Sequence, residues 1–310
     1  MTDALRRHPF QAMGSFCEIQ FLEPSRIGAK KNLRYLLAEV SRLEKKYSRY
    51  HPESFVSEIN TMAGNNLGIK IDIETRSLFD HALVCYQQSD GLFDITSGVL
   101  RRIWDFKSGR VPEQIEIDKL LPHIGFDQLK WKKSRLLIPE NMEIDFGGIV
   151  KEYAADSIAK LARNLGIESG LVNLGGDFAV IGSLPDDRPW PIGILHPNGG
   201  ETLMAKLAIK QGGLASSGDY ERAFIHQGKR YSHILNPKTG WPCDGLRAVS
   251  VCADLCTLAG AASTIAMLKP EIEGIKWLKE LGVDHVYMTS DDKIDGEGIV
   301  ANQTASEATS

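Results

Sequence analysis

One segment, residues 144–156, combines the end of an apolar strand pattern, a two-glycine turn and the start of a helix. Asp145 closes the strand pattern, and Gly147-Gly148 permits a tight turn or a close approach of the backbone to a ligand. Lys151 then stands in the first turn of a helix. The helix is indicated by apolar residues at helical spacing and a glycine cap, namely Ala154, Ile158, Leu161, Leu165 and Gly166. A carboxylate, a bare backbone and a cation at one helix start suit a phosphate-bearing, hydroxyl-rich ligand. The alternative is a strand–turn–helix corner with solvated charges.

The remaining chain predicts an α+β fold. Apolar spacing indicates amphipathic helices over residues 31–47, 75–89 and 270–281, and alternating residues indicate strands such as 13–22 and 142–145. Several strands pair as local hairpins, as do those on either side of Gln227-Gly228-Lys229. This favours mixed or mostly antiparallel sheets with packed helices over a doubly wound parallel sheet.

The domain organisation is expected to be simple. No solenoid repeat and no flexible linker is visible in the sequence. We expect a single domain over residues 13–295, a loose lead-in over residues 1–12 and a disordered tail over residues 296–310.

Composition excludes several classes of function. The 310 residues are 43% hydrophobic and carry a net charge of −4, so nucleic acid is not an expected partner. No apolar run approaches the ~20 residues that cross a bilayer, and no signal peptide pattern opens the chain, so membrane insertion is not expected. The five cysteines are an odd number without a disulfide framework, and the expected location is cytoplasmic.

Common catalytic and nucleotide-binding signatures do not occur in this sequence. There is no GxGxxG in a strand–turn–helix context, no phosphate-binding GxxxxGK[ST], no GxSxG nucleophile elbow and no HExxH. Instead, polar glycine-containing stretches follow or precede predicted strands and helices, at positions where binding residues often occur. Besides the first segment, these stretches are 91–98, 173–177, 215–220 and 233–240.

The order of these stretches resembles the ApbE family of flavin transferases. The resemblance covers residues 13–266 and rests on seven motifs in the family's order, at residues 13–15, 48–60, 91–98, 145–156, 173–177, 216–222 and 233–240. It implies an ApbE-like (T-fold-like) architecture of two intimately packed halves. The family cleaves FAD and attaches FMN through a phosphoester to a threonine or serine of a target protein, with a divalent cation such as Mg²⁺. The implied partners are therefore FAD and an acceptor protein.

The resemblance also implies roles for individual residues. His233 matches the proposed catalytic histidine, a residue type that titrates near neutral pH, although a strand histidine bonded to backbone is the alternative. Lys151 matches a nucleotide-contacting lysine, and Asp145 its paired carboxylate. The other expected FAD-binding positions are Met13, Tyr50, Leu92, Phe93, Asp94, Gly175, Gly176 and Ile234. For Met13, Tyr50 and Phe93 the alternative is ordinary core packing.

The metal site departs from the family pattern. Gly148 would supply a backbone carbonyl and Thr264 a hydroxyl, but Gly260 stands where the family has an aspartate. Loss of that carboxylate is expected to weaken the Mg²⁺ site, with Asp254 or Asp156 as substitutes. Glu152 stands where the family commonly has glycine. Its charge opposes anion binding unless Glu152 faces away or joins the metal.

Three functions are therefore considered. The first is an FAD:protein FMN transferase, for which Gly260→Asp is expected to raise Mg²⁺-dependent turnover. The second is a flavin-binding protein without transfer activity. The third is an FAD pyrophosphatase, in which water replaces the acceptor hydroxyl and AMP and FMN are released.

Overall fold

The computed structural model describes residues 5–23, 25–199, 202–219 and 223–301, with the side chains of the last two residues outside the description. The described residues form seven α-helices, which are α1 (Arg26–Tyr47), α2 (Phe55–Thr61), α3 (Ile73–Gln88), α4 (Gln114–Leu120), α5 (Val150–Asn164), α6 (Cys256–Leu268) and α7 (Glu271–Leu281). They also form sixteen strands, which are β1 (Leu5–Ala12), β2 (Ser15–Leu22), β3 (Ile69–Lys70), β4 (Lys130–Lys132), β5 (Arg135–Leu137), β6 (Gly170–Leu174), β7 (Asp177–Gly182), β8 (Trp190–Leu195), β9 (Leu203–Ile209), β10 (Gly213–Gly218), β11 (Ala223–His226), β12 (Lys229–Ser232), β13 (Ala248–Ala253), β14 (His285–Met288), β15 (Ile294–Glu297) and β16 (Val300–Ala301).

One large sheet dominates the described part of the chain. Its eight strands lie in the order β1-β2-β6-β7-β10-β13-β14-β15. Every neighbouring pair is antiparallel. Smaller sheets are formed by β16-β9-β8, by β3-β5-β4 and by β11-β12. The α+β fold class with antiparallel sheets is therefore confirmed.

Both faces of the large sheet are buried, because alternate residues of each strand point to opposite sides. Val172 and Ala215 lie in the main core beneath the helices. Their chain neighbours Leu171 and Leu214 lie in a second core beneath β8 and β9. The sheet is consequently the middle layer between a helical layer and a smaller β-layer.

Helices α5 and α6 lie against each other on the helical face of the sheet. Ala154, Ala155 and Ile158 of α5 are buried there. The facing side of α6 consists of small residues such as Ala259 and Gly260, both buried. Small side chains let the two helix axes approach closely, so the first turn of α5 meets the middle of α6.

Two predictions about the chain ends are wrong within the described residues. β1 pairs along its whole length with β2, so residues 5–12 are an edge strand rather than a loose lead-in. Its alternating exposed and half-buried residues carry little apolar signal, which is why the sequence did not reveal it. Residues 296–301 contribute to β15 and β16, while residues 1–4 and 302–310 lie outside the described part.

The predicted strand at residues 142–145 is also wrong. This segment makes only an isolated bridge between Glu143 and Ser97. The Asn60 side chain donates to the Ile144 carbonyl at 3.0 Å and accepts from the Ile144 N–H at 2.7 Å. A side-chain amide thus replaces the neighbouring strand, and the segment leading into α5 stays extended without a ladder.

Glu74, at the start of α3, joins three helices. Its carboxylate lies 2.6 Å from Arg42 and 2.7 Å from Lys46, both on α1, and accepts a hydrogen bond from Tyr153 of α5 at 3.2 Å. Hydrogen bonding from Arg42, followed by Lys46, lowers the pKa of Glu74 to about 2. Because the folded pKa lies below the unfolded value of roughly 4.3, this stabilisation is present above that pH and is lost as pH falls toward 2.

We therefore expect Glu74→Gln to lower the free energy of unfolding at pH 7 by about 2 kcal/mol. The difference from wild type should shrink between about pH 5 and pH 2 when urea unfolding is repeated across that range. Asp80→Asn is the matched control, because its pair with Arg76 is about half exposed and is expected to contribute below ~0.5 kcal/mol. Equal losses for the two variants would contradict this account.

Candidate functional site

The turn between β1 and β2 and the glycine turn between β6 and β7 lie side by side next to the start of α5. The Gly175 N–H, in the turn between β6 and β7, donates to the Phe16 carbonyl at 3.1 Å. A Cβ on Gly175 would lie 2.7 Å from the Ser15 Cβ, and Gly175 has φ +63. Only glycine fits this position, since both the space and the backbone conformation exclude a side chain.

Lys151 reaches this turn from the first helical turn of α5. Its Nζ lies 2.9 Å from the Asp177 carboxylate and 3.5 Å from the Gly175 carbonyl. The Asp177 side chain is only 1% exposed and also accepts the Ser216 N–H at 3.2 Å. The expected pairing of Lys151 with Asp145 is therefore wrong, since the ion pair of Lys151 is made with Asp177 on the neighbouring strand.

Asp145 lies at the other end of the same segment and has different partners. Arg49 contacts its carboxylate at 2.9 Å and Arg101 at 3.4 Å. The Gly147 N–H donates to the same carboxylate at 2.9 Å. These contacts fix the orientation of Asp145 and place two guanidinium groups beside it.

Tyr50 is exposed to solvent, whereas Met13 is half-buried. Tyr50 is 71% exposed, with the Arg49 guanidinium 5.5 Å from its ring centroid and its hydroxyl accepting from Arg101 at 3.3 Å. Core packing is thus excluded for Tyr50. Met13 is half-buried in the turn between β1 and β2, with φ 51, and its N–H donates to Glu44 at 2.6 Å.

The segment 92–94 supports the glycine turn before α5. The Phe93 ring is buried, and a Cβ on Gly148 would lie 3.6 Å from it. The buried Asp94 carboxylate accepts the Thr96 N–H at 2.8 Å and the Phe126 N–H at 3.0 Å, and burial raises its pKa. Asp94 therefore ties two loops together, and Leu92 is partly buried against the main core.

His233 directly follows β12 and is partly buried. The next residue, Ile234, packs on the main core, and its carbonyl accepts the Cys243 N–H at 2.8 Å. At the far end of this loop the Gly240 carbonyl accepts from Trp104 Nε1 at 2.8 Å. Trp104 follows the turn that carries Arg101, so the His233 loop is anchored on the segment that also contacts Asp145.

A second polar group lies where α5 meets α6. Ser217, near the end of β10, has its hydroxyl 2.9 Å from that of Ser263 and 3.1 Å from that of Thr264. Glu152 is buried against Gly260 of α6, and burial followed by the Asp177 carboxylate raises the pKa of Glu152. No group of three or more His, Cys, Asp or Glu side chains suited to a metal occurs among the described residues.

The two acidic residues considered as substitutes for the missing aspartate are placed differently. The Asp156 carboxylate caps α6, accepting the N–H groups of Cys256 and Thr257 at 2.9 and 2.8 Å. Asp254 is exposed just before α6, ten residues from Thr264 and therefore ~15 Å away along the helix axis. Neither residue replaces the missing aspartate, because the Asp156 carboxylate caps α6 and Asp254 lies far from Thr264.

Asp156→Ala is expected to lower the free energy of unfolding by about 1–2 kcal/mol, because the start of α6 loses its acceptor. Urea unfolding measures the effect. Asp254→Asn, next to the same helix start but exposed, is expected to change it by less than ~0.5 kcal/mol. Equal free energies of unfolding for the two variants would contradict a stabilising role of the Asp156 cap.

Sequence reasoning missed Arg49 and Arg101, and it included Asp177 only as the last residue of the stretch 173–177. Asp177 follows Gly175-Gly176 directly, so its position was visible although its partner was not. The pairing of Arg49 and Arg101 with Asp145 depends on tertiary contacts across 96 and 44 residues of the chain. Of the stretch 216–222, residues 216–218 end β10 and residues 220–222 lie outside the described part.

The fold and this site define an α+β protein whose glycine turns and charged side chains gather at the start of one helix. The sequence model of the ApbE family matches residues 13–287. The chain belongs to the ApbE family. The family identification made from the sequence motifs is confirmed.

Individual relatives agree with this placement. The FAD:protein FMN transferase of Haemophilus influenzae is 26% identical over 268 residues, which is 82% of this chain and 78% of that protein. The crystal structure of the ApbE protein from Thermotoga maritima superposes with a TM-score of 0.87 at 30% identity, covering 95% of this chain and 97% of that one. The apo form of the Pseudomonas stutzeri flavinyl transferase ApbE gives 0.80 at 26% identity, covering 98% and 95%.

Proposed function

We propose that this protein is an FAD:protein FMN transferase, which cleaves FAD and attaches FMN through a phosphoester to a threonine or serine of an acceptor protein. The observation that carries the proposal is the family match over residues 13–287, with relatives of that name covering most of both chains. The main core includes residues from Ala12 to Tyr287, which supports a single domain, and the pairing of β1 with β2 extends that domain to residue 5.

FAD binding is assigned to the two ends of the segment 145–151. Lys151 binds phosphate, because an ammonium group attracts anions, and Gly175 and Gly176 let the nucleotide approach the backbone closely because they carry no side chain. Asp145, held by Arg49 and Arg101, accepts hydrogen bonds from ribose or ribityl hydroxyls. The remaining contacts with FAD are assigned to Met13, Tyr50, Leu92, Phe93, Asp94 and Ile234.

His233 is proposed as the base for the transfer. The acceptor hydroxyl oxygen attacks the phosphorus of the FMN half of FAD, and its proton passes to the His233 imidazole. A new P–O bond joins FMN to the acceptor, while the bond from that phosphorus to the bridging oxygen breaks. AMP leaves with the bridging oxygen and its electron pair.

The oxygen-rich group between α5 and α6 fits a hard divalent cation such as Mg²⁺. Mg²⁺ binds through one or two carboxylates, further oxygen donors and substrate phosphates, so a cluster of three acidic residues is not required. The residues proposed to hold the ion are Gly148, through its carbonyl, and Thr264, whose hydroxyl lies in the serine–threonine group. A bound cation neutralises negative charge on the phosphates.

A cytoplasmic location is proposed from the state of the thiols. All five cysteines are free, and none lies outside the described residues. Free cysteines are typical of a reducing compartment, which supports a cytoplasmic location. As a separate finding, no helix among the described residues is both long and apolar enough to cross a membrane.

The proposed function is tested by incubating the protein with FAD, Mg²⁺ and the proteins encoded beside its gene. We expect a covalent FMN adduct on an acceptor Thr or Ser, found by peptide mass spectrometry, and one AMP released for each adduct. Intact FAD with every acceptor would reject the transferase. AMP release without an adduct would identify a pyrophosphatase instead.

A further inference from the structure

Glu152 of α5 and Gly260 of α6 occupy the same space. A Cβ built on Gly260 would lie 2.6 Å from Glu152 Cγ, 3.0 Å from Cδ and 3.0 Å from Oε1. No real Cβ comes that close to a neighbouring atom. The Glu152 carboxyl group therefore fills the volume into which a side chain at position 260 would project.

The Glu152 carboxylate is buried without a full set of partners. The residue is 8% exposed, and its Oε2 has no hydrogen-bond partner within the described chain. The nearby cation Lys151 is engaged with Asp177 at 2.9 Å. Burying an ionised carboxylate without a matching positive group costs several kcal/mol, so a cation bound beside Glu152 would stabilise its ionised form.

Further oxygen donors lie on the same face of α6. Thr264 is one helical turn beyond Gly260, so its side chain projects in nearly the same direction. The Ser217 hydroxyl contacts both Thr264 and Ser263, which gathers three hydroxyl groups at this place. A carboxylate with hydroxyl oxygens is the donor chemistry of Mg²⁺ and Mn²⁺ rather than of a soft metal.

We propose that Glu152 is the carboxylate ligand of the divalent cation, delivered from α5 into the space that Gly260 leaves open. The two positions at which the chain departs from the family pattern are then a single exchange, with the carboxylate moved from α6 to the facing helix. The use of the bound ion in FMN transfer rests on the proposed function. The binding of the ion by Glu152 does not.

The exchange also changes the result expected of Gly260→Asp. Gly260→Asp alone now places two carboxyl groups in one buried volume, so we expect it to lower the thermal unfolding midpoint and not to raise turnover. Moving the carboxylate back requires the double variant Glu152→Gly/Gly260→Asp.

The test is a titration with Mn²⁺ alone, in which free ion is measured by electron paramagnetic resonance. Glu152→Gln keeps the shape of the side chain and is expected to weaken Mn²⁺ binding by at least ~10-fold. Its thermal unfolding midpoint should not fall, because an uncompensated carboxylate is removed. The double variant should recover most of the affinity that Glu152→Gly loses, and the exposed control Glu168→Gln should bind like wild type.

Several results would overturn the proposal. These are a wild type that binds no Mn²⁺, a Glu152→Gln variant that binds it as tightly as wild type, or a double variant no better than Glu152→Gly. Glu152-dependent Mn²⁺ binding without FMN transfer would reject the proposed function and keep the cation site. FMN transfer by Glu152→Gln with unchanged Mn²⁺ affinity would reject the site and keep the function.

Discussion

His233→Ala is expected to lower the rate of FMN transfer by about 10²–10⁴-fold, the usual contribution of a general base. The affinity for FAD should stay nearly unchanged, because His233 acts on the acceptor hydroxyl and not on the nucleotide. Single-turnover formation of the FMN adduct measures the rate, and flavin fluorescence measures FAD binding.

His226→Ala is the matched control, because this exposed histidine lies on the strand that pairs with β12. It should leave both the transfer rate and FAD binding unchanged. A His233→Ala variant that transfers FMN at a rate near that of wild type would contradict the assignment of His233 as the base. A variant that loses FAD binding instead would assign His233 to the nucleotide site.

Lys151→Met is the second substitution with a large expected effect. It removes the cation that lies 2.9 Å from the Asp177 carboxylate, whose side chain is 1% exposed. We expect a loss of about 3 kcal/mol in the free energy of unfolding, because that carboxylate stays buried without this partner. FAD affinity should also fall by about 10–100-fold, since a charged hydrogen bond to phosphate is lost.

A double variant separates the two effects of Lys151. In Lys151→Met/Asp177→Asn the buried charge is gone, so stability should recover in part while FAD affinity stays low. Lys160→Met, on the exposed side of α5, is the control and should change neither quantity. If the double variant binds FAD like wild type, Lys151 does not contact the nucleotide and serves only to balance Asp177.

Much of the fold could be predicted because the signals were local. The apolar spacing of residues 31–47 identified α1, although the helix begins earlier, at Arg26, where the Ser25 side chain accepts the Gly28 N–H. The spacing of residues 270–281 predicts α7, which covers Glu271–Leu281 and ends at Gly282 with φ 64. These elements are specified by residues within one or two helical turns.

The errors concern interactions between distant segments. The Asn60 side-chain amide hydrogen-bonds the Ile144 backbone in place of a neighbouring strand, and no local sequence pattern predicts this replacement. β1 is an edge strand whose only strand partner within the described residues is β2, so its sequence lacks the apolar alternation of a buried strand.

The same limit applies to the site. The motif residues Asp145 and Lys151 were found, but their partners Arg49 and Asp177 come from other elements. Glu152 and Gly260 were each identified as a departure from the family pattern. Only the packing of α5 against α6 reveals that the two departures fill one volume.

This ApbE-family protein is proposed to transfer FMN from FAD to a hydroxyl group of another protein. The most direct measurement is peptide mass spectrometry of the acceptor after incubation with FAD and Mg²⁺, together with quantification of AMP. We expect one FMN phosphoester on a threonine or serine for each AMP released, and adduct formation about 10²–10⁴-fold slower with His233→Ala. FAD that stays intact with every acceptor, or AMP that appears without any adduct, would contradict it.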